Sequence, residues 1–145
     1  MYFNVRVYGL LVNDNDEILL TDEQEQGYRF TKFPGGGLEY GEGLTDALKR
    51  EFIEECATEV EIIEHFYTTD FFVKSAFNDS QIISVYYKVR AAGTVNFTCK
   101  TKAFDFDGTS GSLQAFRWRS LAELHPKDVT FPIDQHVVEL LKNKK

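Results

Sequence analysis

Three glutamates stand on the clearest helix of the chain where apolar side chains are expected, and that conflict constrains the fold more than any other feature. Residues 44–57 (LTDALKREFIEECA) read as a helix. Each helical position advances by about 100°, so with Leu44 at zero, Leu48 falls at about +40°, Ala47 at about −60° and Phe52 at about +80°. On the same count Glu51 lies at about −20°, Glu55 at about +20° and Glu54 at about −80°. A merely solvated acidic face would stand opposite the apolar stripe. Here the acids share its arc. Three carboxylates at i, i+3 and i+4 also repel one another, by about a few tenths of a kcal/mol per exposed pair and more when partly buried. A hard divalent cation resolves both difficulties, because carboxylate oxygens are its preferred ligands. The pattern predicts a metal site.

Upstream stands Pro34-Gly35-Gly36-Gly37, the strongest loop signal in the chain. Glycines let backbone pass close to a ligand and, ahead of a helix, can aim N–H groups at an anion. Glycine-rich turns are common, so the value of this one lies in its place before the carboxylate helix. Around the pair, residues 2–12 read as a strand, Asn13–Asp16 as a turn, and 17–21 as the return strand of a hairpin. A polar stretch at 22–27 precedes a short aromatic run at 28–33. Residues 59–73, 82–91 and 113–118 read as further strands, 100–112 as a loop, 120–124 as one helical turn and 134–142 as a closing helix. No repeat, linker or low-complexity tract interrupts the 145 residues, so a single domain over 1–145 is expected.

Sixteen Lys and Arg against 23 Asp and Glu leave a net charge of −7. Non-specific binding of a nucleic-acid polymer needs a positive footprint and is not expected. A phosphorylated substrate would need local cations to overcome the repulsion. No apolar run approaches the length of a membrane span, and the N-terminus lacks the pattern of a secretory signal. Two cysteines, Cys56 and Cys99, make neither a disulfide framework nor a zinc site, so a cytoplasmic location is the default expectation.

The spacing from the glycines to the helix is specific. Gly36, five residues, Glu42, seven residues, then Arg50-Glu51-Phe52-Ile53-Glu54-Glu55 resembles the signature of Nudix hydrolases, Gly-x5-Glu-x7-Arg-Glu-U-x-Glu-Glu-x-Gly-U, with U a bulky aliphatic residue. The FPGG before it, Glu39 within it and the late FRWRSLAEL stretch are also similar to the family. Phe52 stands at an aliphatic position, Ala57 replaces the final glycine and Thr58 the last aliphatic residue. Glycine suits a left-handed helix cap, and alanine in that conformation costs about 1 kcal/mol. The box covers about a sixth of the chain, and the order of elements is compatible with the α/β (α+β) Nudix fold, an α/β/α sandwich around a mixed β-sheet.

The resemblance implies metal-dependent hydrolysis of a diphosphate bond in a nucleoside diphosphate linked to another moiety, with Mg²⁺, or Mn²⁺ in its place. It implies Glu51, Glu54 and Glu55 as metal ligands with the Gly36 carbonyl as a possible fourth, and Glu51 or Glu54 doubling as general base. Arg50, at about −120°, suits a bidentate grip on a neighbouring carboxylate, and Glu42 and Glu39 are expected to support the ligands from behind. Arg6, Arg29 and Lys32, with the backbone of Gly35 and Gly37, are candidates for phosphate contact, although strand cations are usually just solvated. Tyr28, Phe30 and Phe33 are expected in the core more than on a base. Many family members add a carboxylate from a late loop; here Gln114 stands near that place, and Asp105 and Asp107 are the loop's only acids.

Nucleoside triphosphates, ADP-ribose, other nucleotide sugars and dinucleoside polyphosphates all remain open as substrates, with a homodimer open as the assembly. Two other readings compete: a catalytically silent Nudix-like module that senses a nucleotide, and a structural domain whose acidic helix binds a basic protein. Retention of every box carboxylate argues against the first, and the shared apolar and acidic face against the second.

Overall fold

The N-terminal apolar run forms β1 (Phe3–Leu11) in the computed structural model, which describes residues 2–143. β1 pairs in parallel with β6 (Gln81–Ala91) from Phe3↔Gln81 to Leu11↔Val89. On its other edge it pairs antiparallel with a three-residue strand, β4 (Gly35–Gly37), and β5 (Val60–Thr68) completes the order β4-β1-β6-β5. A second four-stranded sheet has the order β3-β2-β8-β7, from β2 (Glu17–Glu25), β3 (Tyr28–Lys32), β7 (Cys99–Lys100) and β8 (Leu113–Ser120). Each sheet is mixed, with one parallel pair, β1–β6 or β7–β8. The chain is α+β as expected, with its strands divided between two sheets and two compact units. One unit comprises the chain up to Leu11 with Pro34–Asn96, the other Val12–Phe33 with the chain from Phe97.

In the first unit α1 (Leu44–Cys56) buries Ala47, Leu48, Phe52 and Cys56 and packs on β1, β4 and β5. Phe52 fits because the facing position is glycine. A Cβ on Gly9 would lie 2.5 Å from Cε2 and 2.8 Å from Cζ of its ring. The helix ends on Ala57 in the left-handed conformation, φ 50° and ψ 35°. The Ala57 N–H donates to the Ile53 carbonyl at 3.1 Å and the Thr58 N–H to that of Phe52 at 3.3 Å. Asn96 Nδ2 braces the turn by donating to the Ala57 carbonyl at 3.1 Å. Alanine therefore adopts the glycine conformation and carries its strain.

In the second unit Ile18, Leu19, Leu20, Phe30, Phe33, Phe116, Val137 and Val138 are buried. α2 (Pro132–Asn143) closes it, with proline at the first helical position, where its missing N–H costs nothing. Two details, the first hairpin and the late helical turn, differ from the sequence expectation. The Asn13–Asp16 turn forms, with Asn13 Oδ1 accepting from the N–H groups of Asn15 and Glu17 at 2.9 and 3.0 Å. Yet beyond a single bridge, Val12↔Ile18, β2 pairs with β3 and β8, so residues 2–12 and 17–21 are not one hairpin. The polar stretch, which the sequence assigns to no element, continues β2 as far as Glu25. Its polar side chains meet partners across the sheet, and Gln26 and Gly27, both with positive φ, supply the two-residue turn into β3. The helical turn expected at 120–124 falls at Pro126–Asp128, where His125 Nδ1 accepts from the Lys127 N–H and Asp128 from the His125 N–H. No helix among the described residues is long and apolar enough to cross a membrane.

Candidate functional site

The glycine triplet is the ladder strand β4, and each glycine has its own reason. Gly35 has φ 150°, and a Cβ there would strike the Val7 carbonyl and lie 2.8 Å from Tyr8 Cα. A Cβ on Gly36 would fall on the Glu51 carboxylate, 2.6 Å from its Cδ and Oε1. At Gly37 a Cβ would find only Arg6 Nη1, at 3.8 Å. Gly35 is thus needed for pairing with β1, and Gly36 lets a helix carboxylate lie against strand backbone.

Between β4 and α1 the chain closes on itself. The Glu39 N–H donates to Glu42 Oε1 at 2.9 Å, and Arg50 forks onto the same carboxylate, Nε to Oε2 at 2.9 Å and Nη2 to Oε1 at 2.6 Å. Nη2 also reaches the Gly37 carbonyl at 3.0 Å. The remaining contacts are looser: Nε to Glu39 Oε2 at 3.2 Å, Nη1 to Glu54 Oε1 at 3.2 Å, and Nη1 to Glu51 Oε2 at 3.5 Å. One guanidinium serves four carboxylates. The hydrogen bond from Arg50, then that from the Glu39 N–H, holds the Glu42 carboxyl below its usual range.

Along α1 the acids grade from core to solvent. The Glu51 side chain is 12% exposed and that of Glu54 56%, with Glu55 half-buried. This follows the helical count, in which Glu54 lies furthest from the centre of the arc. Among the described residues no three acidic, histidine or cysteine side chains are arranged to hold a cation as they stand; Arg50 lies among the acids. The donor set nevertheless suits a hard cation: carboxylate oxygens on successive turns and a strand backbone kept bare beside Glu51.

The other candidates have partners of their own. Arg6 donates from Nε to the Tyr8 hydroxyl at 2.6 Å, and strand alternation turns both away from the face on which Gly36 meets Glu51. Arg29 and Lys32 belong to the second unit. Arg29 donates to Gln24 at 2.9 Å and stacks over Phe104 and Phe106, while Lys32 is buried against Glu23 at 3.2 Å. Phe30 and Phe33 are core residues, with Phe30 packed on Phe131, whereas Tyr28, also expected in the core, is 45% exposed. Asp107 pairs with Lys100 at 2.6 Å, Asp105 is exposed, and Gln114 donates to Thr21 and Glu23. Burial pushes the Cys99 thiol up to about 11, which makes it a poor nucleophile. Sequence reasoning missed Gly9, whose signal is a glycine inside an apolar strand. It also missed the buried pair of Asp22 and Arg117, at 2.7 Å, for which spacing offers no sign.

A NUDIX domain family model matches residues 3–141, nearly the whole chain. The chain belongs to the Nudix hydrolase family. Solved structures share its fold. A NUDIX hydrolase from Nitrosomonas europaea is 22% identical with a TM-score of 0.69, covering 94% of this chain and 86% of its own. A MutT protein from Methanosarcina mazei Go1 is 18% identical with a TM-score of 0.70, covering 99% and 96%. An ADP-ribose pyrophosphatase from Streptococcus suis is 18% identical with a TM-score of 0.61, covering 98% and 93%. No curated protein matches the chain.

Proposed function

We propose that this Nudix chain is a metal-dependent pyrophosphohydrolase that cleaves the diphosphate of a nucleoside diphosphate derivative. The observation that carries this reading is the Glu51 carboxylate on the bare backbone of Gly36, at the head of an acidic row that one arginine cannot neutralise. Glu51, Glu54, Glu55 and the Gly36 carbonyl would hold Mg²⁺, or Mn²⁺ in its place. When bound, the cation supplies charge neutralisation for the diphosphate and acidifies a water molecule.

The chain's own residues do the rest. Glu51 or Glu54 accepts the proton of the attacking water as its oxygen bonds to phosphorus; the bridging P–O bond breaks and its electron pair leaves with the departing phosphate. Arg50 acts as a positioning residue. Its Nε and Nη2 stay on Glu42 and the Gly37 carbonyl, tying β4 to α1, while the longer Nη1 contacts to Glu51 and Glu54 can be exchanged. Glu39 and Glu42 hold that arginine. Small nucleotides and sugar nucleotides are the proposed substrates, and the MutT and ADP-ribose pyrophosphatase neighbours bracket them.

The test is a panel of nucleoside triphosphates, nucleotide sugars, ADP-ribose and dinucleoside polyphosphates with Mg²⁺, scoring phosphate, pyrophosphate and nucleotide products. At least one substrate should turn over, and turnover should stop on chelation. A chain that bound these compounds tightly but cleaved none would instead be a sensor.

A further inference from the structure

The first unit holds a second feature that the carboxylate site does not use. A cavity of about 600 Å³ opens at the head of β1, lined by Tyr2, Phe3, Phe72, Lys74, Asp79 and Gln81. Its volume is that of a small-molecule site. Three of its walls are aromatic, and all three are largely in solvent: Phe72 is 70% exposed, Phe3 66% and Tyr2 58%. Clustered exposed aromatics of this kind mark binding surfaces rather than ordinary protein exterior. Lys74 and Asp79, 3.5 Å apart, and the Gln81 amide add donors and acceptors beside them.

The register relates this cavity to the carboxylates. Phe3 and Val7 point to the same face of β1, and Val7 is paired with Gly36, where Glu51 lies. Four residues of strand separate them, roughly 13 Å. In a nucleoside diphosphate about eight bonds join the terminal phosphorus to the base, roughly 10 Å at the per-bond advance of an extended chain, and the ring adds to that reach. The spacing along β1 therefore matches the span of a nucleotide with its diphosphate at Glu51 and its base at Phe3.

We infer that the cavity formed by Tyr2, Phe3 and Phe72 receives the nucleobase of the substrate, stacked on its aromatic walls. Stacking explains why flat rings rather than aliphatic groups line it, since every base offers a π-face. Gln81 and the Lys74–Asp79 pair then choose among bases by their polar edges. This inference rests on the nucleotide reading of the carboxylate site and adds the place where the base is held.

The test uses the full chain without added metal, titrated with adenosine 5′-monophosphate, uridine 5′-monophosphate or ribose 5-phosphate by calorimetry. Phe72→Ala removes a solvent-exposed ring and should leave folding intact. It should weaken binding of at least one of the two nucleotides about tenfold, leave ribose 5-phosphate unchanged, and be rescued by Phe72→Tyr. With Mg²⁺ and a cleavable nucleotide, the same variant should raise KM while kcat holds. Equal nucleotide affinity in both proteins would overturn the inference, as would a Phe72→Ala effect confined to a concentration-dependent dimer. If no substrate is cleaved but the nucleotide affinities still separate the two proteins, the hydrolase reading fails and the base site stands.

Discussion

The chain uses the same pair of chemical groups, carboxylate and guanidinium, in two opposite ways. In the second unit Asp22 is fully buried, and Arg117, 11% exposed, forks onto it at 2.7 and 3.2 Å. Thr31 Oγ1 at 2.6 Å and the Phe104 N–H at 3.3 Å complete its hydrogen bonds. One charge meets one charge, and the lone pairs are satisfied. In the first unit Arg50 meets Glu39, Glu42, Glu51 and Glu54, of which Glu39 and Glu54 are largely in solvent. A balanced, buried and saturated pair holds structure together. An over-acidic and open one leaves contacts that the proposed cation would take over.

The largest expected effect breaks the balanced pair. Asp22→Ala leaves the Arg117 charge without its counterion and should cost about 3–5 kcal/mol of stability, read by urea denaturation, with the folded fraction still catalytically competent. A cost near zero would mean that Arg117 is solvated in the folded protein and the contrast is false. Next, Glu54→Gln should lower turnover by at least about a hundredfold, equivalent to about 2.7 kcal/mol in the barrier. Because Glu54 is half in solvent, its melting temperature should barely move. Unchanged turnover with lost stability would reverse the roles assigned to the two clusters.

A smaller change concerns the helix that carries the acids. Ala57→Gly relieves the left-handed cap and should stabilise the chain by about 1 kcal/mol without altering metal affinity. A destabilised variant would show that the glycine's extra freedom in the unfolded chain outweighs the strain.

The smallest effect is a pH dependence. The folded carboxyl of Glu42 is depressed below its ordinary value of 4.5, so its contribution is complete above that value and is lost as pH falls through the folded one. Melting temperatures followed from pH 6 to pH 3 should therefore fall further in the natural chain than in Glu42→Gln. Parallel curves would place the Arg50 fork outside the stability of the folded state.

The helix of residues 44–56 was legible because its period places apolar residues and acids on one arc, a local property that survives into the fold. The spacing from Gly36 to Glu55 was legible for the same reason. Partnerships between distant strands were not. Residues 2–12 and 17–21 suggest a hairpin from neighbourhood alone, yet β1 takes its long pairing from β6, some seventy residues away. Polar residues 22–25 carry no strand signal of their own; in the fold they are strand, with Arg29, Thr31, Lys32 and Arg117 beside them.

Sequence alone determined which residues carry charge, which segment is helical and which family spacing is present, because each depends on neighbours a few positions apart. Tertiary structure decided that the glycine triplet is a strand under Glu51, that Gly9 makes room for Phe52, and that Arg50 is shared while Arg117 is spent on one partner. Those outcomes depend on which backbones come within contact distance, and contact between remote segments is settled by packing rather than by local order.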